Sequence, residues 1–285
     1  VHLAGTDADS SVLVQALDLA GPLGAHLECL HVRPGLGQLV NLVAPSASGP
    51  GVEINVGEVL AELKLAAAER AGKARATFDD ICGANNIAIG DAPPASGLNA
   101  AFREERGDET EVLVEKLRAN DFVVIGGGGV EGGLRSDVLA HLLLTSGRPL
   151  LLSPPVPIKD SGRTIAIAWK STPESARAVA AAIPLLANAD KVVVLSASEG
   201  EYDADENATR PVLSHLRWHG IDAELREVLP AGRSASEAVL AGVRDVRADL
   251  LVMGAYGRGR LAEIVFGGFT RQILTNTELP VFLLH

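Results

Sequence analysis

The chain has 285 residues, 47% of them apolar, with 25 Lys and Arg against 36 Asp and Glu and a formal net charge of −11. At about 150 residues per domain this leaves room for two domains, each able to bury a core. The acidic balance excludes an electrostatic nucleic-acid binder, which needs a basic face to neutralise phosphates, but not a local anion site at a helix N-terminus.

The first residues, VHLAGTDADSS, lack the basic and apolar regions of a signal peptide and read as the end of a strand running into a helix. His26–Val32 (HLECLHV) is a strand. Cys29 and Cys82 are too few for a disulfide framework and read as small buried hydrophobes in a reducing, cytoplasmic setting. Asn41–Val52 and Gly90–Gly97 lack periodicity and read as mobile loops. Asp121–Gly126 (DFVVIG) is an apolar strand, and Pro149–Leu152 (PLLL) is the last strand of this half. Ser153–Arg163 (SPPVPIKDSGR), with its prolines and polar end, suits a short semi-rigid linker.

The pattern then repeats. Thr164–Trp169 (TIAIAW) is a strand, Pro173–Ala187 a helix opened by Pro173, and Lys191–Leu195 a strand that pairs in pattern with His26–Val32. Thr209–His219 is a helix ended by Gly220. Ala223–Val228 alternates as a strand near the sheet edge, and Ser234–Arg244 is a helix that Ser234 or Ser236 can cap. Leu250–Met253, within DLLVMG, repeats DFVVIG; Phe269–Leu274 lies in a helix; Val281–Leu284, after Pro280, repeats PLLL. The chain divides into residues 1–155 and 162–285. Its most apolar stretch, Ala178–Ala187, is short and carries Pro184, so no membrane span is expected. Strands that are nearly all apolar, alternating with helices, indicate a parallel sheet covered on both faces. Each half is expected to be an α/β, doubly wound, five-stranded parallel sheet of flavodoxin-like or adenine-nucleotide α-hydrolase-like order, 3-2-1-4-5. Such sheets bind ligands beyond the carboxyl ends of their strands, where the strand order reverses.

The loops there single out the second half. After its fourth strand comes Gly254-Ala-Tyr256-Gly257-Arg258-Gly-Arg260, then Gly267-Gly268-Phe269-Thr270, a G-x2-G-x9-G spacing followed by a helix. Gly254 and Gly257 let the backbone turn and approach a ligand closely. Gly267 and Gly268 offer free N–H groups at a helix start, where phosphate is favoured. Thr270 adds a hydroxyl, and Arg258, Arg260 and Arg271 are guanidinium donors.

This strand–glycine-loop–helix–strand unit resembles the nucleotide-binding signature of universal stress proteins, and the resemblance extends over the chain as a tandem pair. It implies an α/β fold that binds ATP, with or without Mg²⁺, where the motif is intact. It also implies a regulatory role in stress resistance and dimer-like packing through the last strands, here an intrachain pseudo-dimer that leaves room for a further homodimer. Carried onto this sequence, the site comprises Ala168, Trp169, Lys170 and Ser171 after the first strand, Leu195 near the base, and Gly254, Tyr256, Gly257, Arg258, Arg260, Gly267, Gly268, Phe269 and Thr270. Three departures stand out. Gly268 follows the third glycine where the family has Ser or Thr. Ala4 and Lys170 occupy the two positions of the family's first-strand Asp. The first half's loop, Gly126–Asp137, is shorter and carries Glu131 and Asp137, which repel phosphate. Nucleotide is therefore expected in the second half, and the first is expected to be mainly structural.

No catalytic constellation emerges: the sequence has neither a G-x-S-x-G elbow nor a Walker A lysine loop. His215 and His219 stand one helical turn apart without a third ligand, at a helix end where histidine suits the dipole. Glu199–Glu206 reads as a solvated acidic loop. The expected function is a stress-response regulator that binds an adenine nucleotide and acts through an unidentified regulatory protein. A nucleotide-independent interaction scaffold is the alternative; a slow ATP-hydrolysing or adenylating enzyme is disfavoured by the missing acid/base set.

Overall fold

The computed structural model describes residues 1–43, 55–92, 97–127, 134–197, 206–230, 232–255, 270 and 278–285. Helix α1 (Asp9–Ala20) leads to β1 (His26–Arg33), α2 (Leu36–Val43), the long α3 (Val56–Ala84), β2 (Ala88–Ile89), β3 (Asn99–Arg106), α4 (Glu109–Arg118), β4 (Val123–Gly126), α5 (Ser136–Thr145) and β5 (Leu150–Ser153). The second half runs β6 (Thr164–Trp169), α6 (Pro173–Leu186), β7 (Lys191–Ala197), α7 (Glu206–Trp218), β8 (Ala223–Val228), α8 (Ala235–Asp245), β9 (Leu250–Gly254) and β10 (Val281–Leu284). The fold is α/β with parallel-dominated sheets.

Local chemistry explains the starts. Thr172 accepts the Ser175 N–H at the head of α6, with Pro173 in the first turn. At α8, Ser234 accepts from the Glu237 N–H while the Glu237 carboxylate accepts from the Ser234 N–H, so Ser234 rather than Ser236 is the cap. Gly220, at φ +75°, ends α7. The loop expected over Asn41–Val52 is corrected at its start. Asn41–Val43 completes α2, whose Leu39 and Val43 are buried. The apolar period begins upstream, at Leu36, so a window opened at Asn41 misses it. Residues 44–54, like most of Glu199–Glu206 and residues 93–96 of the Gly90–Gly97 loop, lie outside the described residues.

In the second half the strands run β8-β7-β6-β9-β10, and the sheet continues through β5 to β4. All neighbours are parallel except β10 and β5, where Phe282 faces Leu151. The other strands form β1-β3-β2, with a two-residue β2 added at the edge. Residues 1–3 join the two sets. Leu30 donates to the Val1 carbonyl (2.8 Å), Leu3 donates to the Leu30 carbonyl (2.9 Å), and His2 donates to the Val124 carbonyl (2.9 Å). Backbone hydrogen bonding thus runs unbroken from β2 to β8. The two expected sheets are one surface, because the last strands of the halves pair edge to edge and leave neither edge open.

Two apolar cores cover the faces. One packs α1, α3, α6 and α7 against Val124, Leu151, Ile165, Val194, Val252 and Phe282. The other packs α4, α5 and α8 against Ile125, Leu152, Ala166, Leu195, Met253 and Leu283. Alternate residues of each central strand serve opposite faces, as the pleat requires. Cys29 and Cys82 are buried free thiols, and burial pushes the Cys29 thiol up to about 12, which leaves it protonated. No described helix is long and apolar enough to cross a membrane.

The linker is tied to both halves. Ser161, 7% exposed, donates its N–H and its hydroxyl to Asp18 of α1, each at 2.7 Å. Gln15 donates to the Ser161 hydroxyl and accepts from the Ile158 N–H. On the other side, Asp249 accepts from the Gly162 and Thr164 N–H groups at 2.8 and 2.9 Å. Asp18→Ala would strand the buried Ser161 donors, so it is expected to lower stability by about 1–3 kcal/mol in urea unfolding. A change within 0.3 kcal/mol of zero, taking about that as the noise of additive surface substitutions, would show that water replaces the clamp.

Candidate functional site

In the second half the strand order reverses between β6 and β9, and the carboxyl ends of both strands meet the start of α6 there. Ala168 is 8% exposed, Trp169 is half-buried against the core, and Lys170 and Ser171 are exposed on the turn. The turn is tight: the Thr172 N–H donates to the Lys170 carbonyl at 2.7 Å. Gly254 ends β9 against α6. A Cβ on Gly254 would lie 2.5 Å from the Ser175 nitrogen and 2.7 Å from the Glu174 carbonyl carbon, so only glycine lets strand and helix approach this closely. The sequence-predicted Ala168, Trp169, Lys170, Ser171 and Gly254 thus share one edge.

Leu195 lies deeper. It is fully buried in β7 beneath α8, where a Cβ on Gly242 would touch its methyl groups. Thr270 is 5% exposed and helical. Tyr256, Gly257, Arg258, Arg260, Gly267, Gly268 and Phe269 lie outside the described residues, as does Arg271.

Groups absent from the sequence reading complete the edge. Glu174 is 7% exposed, and its Oε2 has no hydrogen-bond partner among the described residues. Burial pushes its carboxyl up. Its own backbone N–H, the Thr172 side chain, Arg177 and His285 outweigh that and hold it below the usual carboxylate range, so it is an anion at neutral pH. Arg177 approaches it at 3.6 Å and donates to the His285 carbonyl at 2.9 Å. The His285 ring meets the Ala255 carbonyl, and the Ala255 N–H donates to Leu284. The sequence signal for Glu174 was only an acid in a first helical turn, which ordinarily means an exposed complement to the dipole.

The corresponding edge of the first half is filled from within. The Ala4 and Gly5 N–H groups donate to Asp9 at 2.9 and 2.8 Å. Burial outweighs these bonds and raises the Asp9 pKa. Gly5, at φ +75°, has the Arg70 carbonyl of α3 2.4 Å from where a Cβ would stand, and Lys73 of α3 pairs with Asp7 at 2.6 Å. Buried His2 contacts Glu109 at 3.1 Å, and buried His31 contacts the Leu3 carbonyl. Ser175 stands five residues beyond Lys170, as Asp9 stands five beyond Ala4, and its hydroxyl and N–H contact Thr172 at the helix start.

The exposed His215 and His219 rings stack edge to face at 4.8 Å. No group of three or more metal-ligating side chains converges among the described residues.

Residues 162–285 match the model described as the universal stress protein family. A universal stress protein from Archaeoglobus fulgidus DSM 4304 superposes with a TM-score of 0.58 at 16% identity, covering 95% of this chain and 92% of that one. A protein described as a putative universal stress protein, from Pseudomonas aeruginosa UCBPP-PA14, superposes at 0.54 and 14% identity, covering 95% and 87%. At such identities the likeness is one of fold, and it spans both halves. No curated protein matches the chain.

Proposed function

We propose that this chain, whose residues 162–285 match the universal stress protein family, is a nucleotide-responsive regulatory protein that takes ATP or a related adenine nucleotide at the edge between β6 and β9. The observation that carries this reading is the position of the motif. Its first glycine, Gly254, closes β9 at the point where the strand order reverses, which is where doubly wound sheets hold their ligands. The remaining glycines, with Arg258, Arg260 and Thr270, supply the backbone and guanidinium donors a polyphosphate needs. Occupancy would set the conformation of the segment after Gly254 and so the surface offered to a protein partner. The first half serves as a structural copy, its own edge occupied by Asp9 and α3.

The test is the nucleotide content of freshly purified protein together with calorimetric titration of ATP–Mg²⁺ into the wild type and Gly257→Asp. The substitution puts a bulky anion into the proposed phosphate cradle. Stoichiometric binding is expected for the wild type, with affinity reduced at least a hundredfold in the variant, as loss of more than one charged hydrogen bond implies. A wild type that binds no nucleotide would overturn this reading in favour of an interaction scaffold, and equal binding by both proteins would remove the glycine loop from the site.

A further inference from the structure

Thr172, Arg177 and His285 hold the Glu174 carboxylate charged, but a buried carboxylate oxygen that itself meets no donor is left with an unfilled hydrogen bond. Glu174 Oε2 is in that position. It lies where Gly254 and the α6 start converge, within a polar surround of Thr172, Ser175, Arg177 and His285. An acceptor-only group there selects its ligand by chemistry. It repels phosphate, so the polyphosphate cannot sit on the α6 N-terminus and must lie further along, away from Glu174. Alone it makes a poor metal site, since no cluster of ligating side chains forms around it among the described residues. A hydroxyl donor suits it chemically: in dinucleotide-binding doubly wound folds a carboxylate accepts from a ribose hydroxyl.

We propose that Glu174 Oε2 accepts a hydrogen bond from a ribose hydroxyl of the nucleotide, and so makes the site selective for ribonucleotides over deoxyribonucleotides; this rests on the nucleotide reading above. The orphaned oxygen is then the half of a hydrogen bond that the ligand completes. Binding gives Oε2 the donor it lacks, and a ligand without the hydroxyl leaves that oxygen unpaired.

ATP, 2′-deoxy-ATP and 3′-deoxy-ATP are titrated into the full-length wild type, E174Q and E174D, and the melting temperature of each protein is recorded without nucleotide. The wild type is expected to bind ATP at least tenfold more tightly than one of the deoxy analogues, the scale of a hydrogen bond to a charged group. E174Q is expected to bind ATP and that analogue within about twofold of each other, a difference near RT in size, with E174D in between. A wild type that binds all three alike overturns the proposal while the nucleotide reading stands, and this comparison needs no variant to fold. Discrimination retained in E174Q, with a lowered melting temperature, makes Glu174 a structural partner of its own chain and also overturns it. If no nucleotide binds the wild type, both readings fall together.

Discussion

Phe282→Ala is expected to lower the unfolding free energy by about 3–5 kcal/mol, the usual cost of emptying a buried phenylalanine site, and to lower it for both halves at once. Phe282 is fully buried on β10. It faces Val252 of its own half and Leu151 of the other, and its ring meets Phe122 edge to face at 5.6 Å. A cavity there thins the core on both sides of the one antiparallel pairing. Both tryptophans, half-buried Trp169 and exposed Trp218, lie in the second half. Tryptophan fluorescence therefore follows that half, while far-ultraviolet circular dichroism follows both. Coincident urea transitions, shifted together in the variant, are the expected result. Separate transitions, with only fluorescence shifted, would show that the halves fold independently and that β5 and β10 contribute little to each other.

Gly254→Val is expected to cost about 3 kcal/mol, the upper range for overpacking, and to abolish nucleotide binding. The added Cβ meets backbone atoms of α6, the Ser175 nitrogen and the Glu174 carbonyl carbon, and not a side chain that can turn away. The helix must then shift off β9, carrying Thr172 and Glu174 with it. Urea unfolding measures the first effect, and calorimetry under conditions where the variant is fully folded measures the second. A folded variant that binds ATP with wild-type affinity would place the ligand away from the β6–β9 edge.

The described elements of the second half were legible because each carries a local signature, while the helix expected over Phe269–Leu274 lies, except for Thr270, outside the described residues. Ala223–Val228 and Val281–Leu284 are strands with the bounds their apolar patterns predict. Ser234 caps α8 because a serine followed three residues later by Glu237 satisfies two helix-start donors reciprocally. The resemblance to universal stress proteins rested on glycine spacing and holds as a family match over residues 162–285. Less legible was α2, whose apolar residues straddle the start of a polar stretch. Glu174 was invisible as a buried group, since burial depends on what β9 and residues 255 and 285 bring against the helix.

The α/β class, the repeated motifs and the candidate glycine loop can be read from hydrophobic period, capping residues and glycine spacing, which are local properties of the chain. It took the folded chain to show that the last-strand packing implied by the resemblance is antiparallel pairing of β5 with β10, which makes the two sheets one hydrogen-bonded surface. The tertiary structure alone put Asp9 and α3 into the edge of the first half, and left a buried carboxylate oxygen in the second without a donor among the described residues. Each of these depends on contacts between residues far apart in the chain, whose pairing no local pattern encodes.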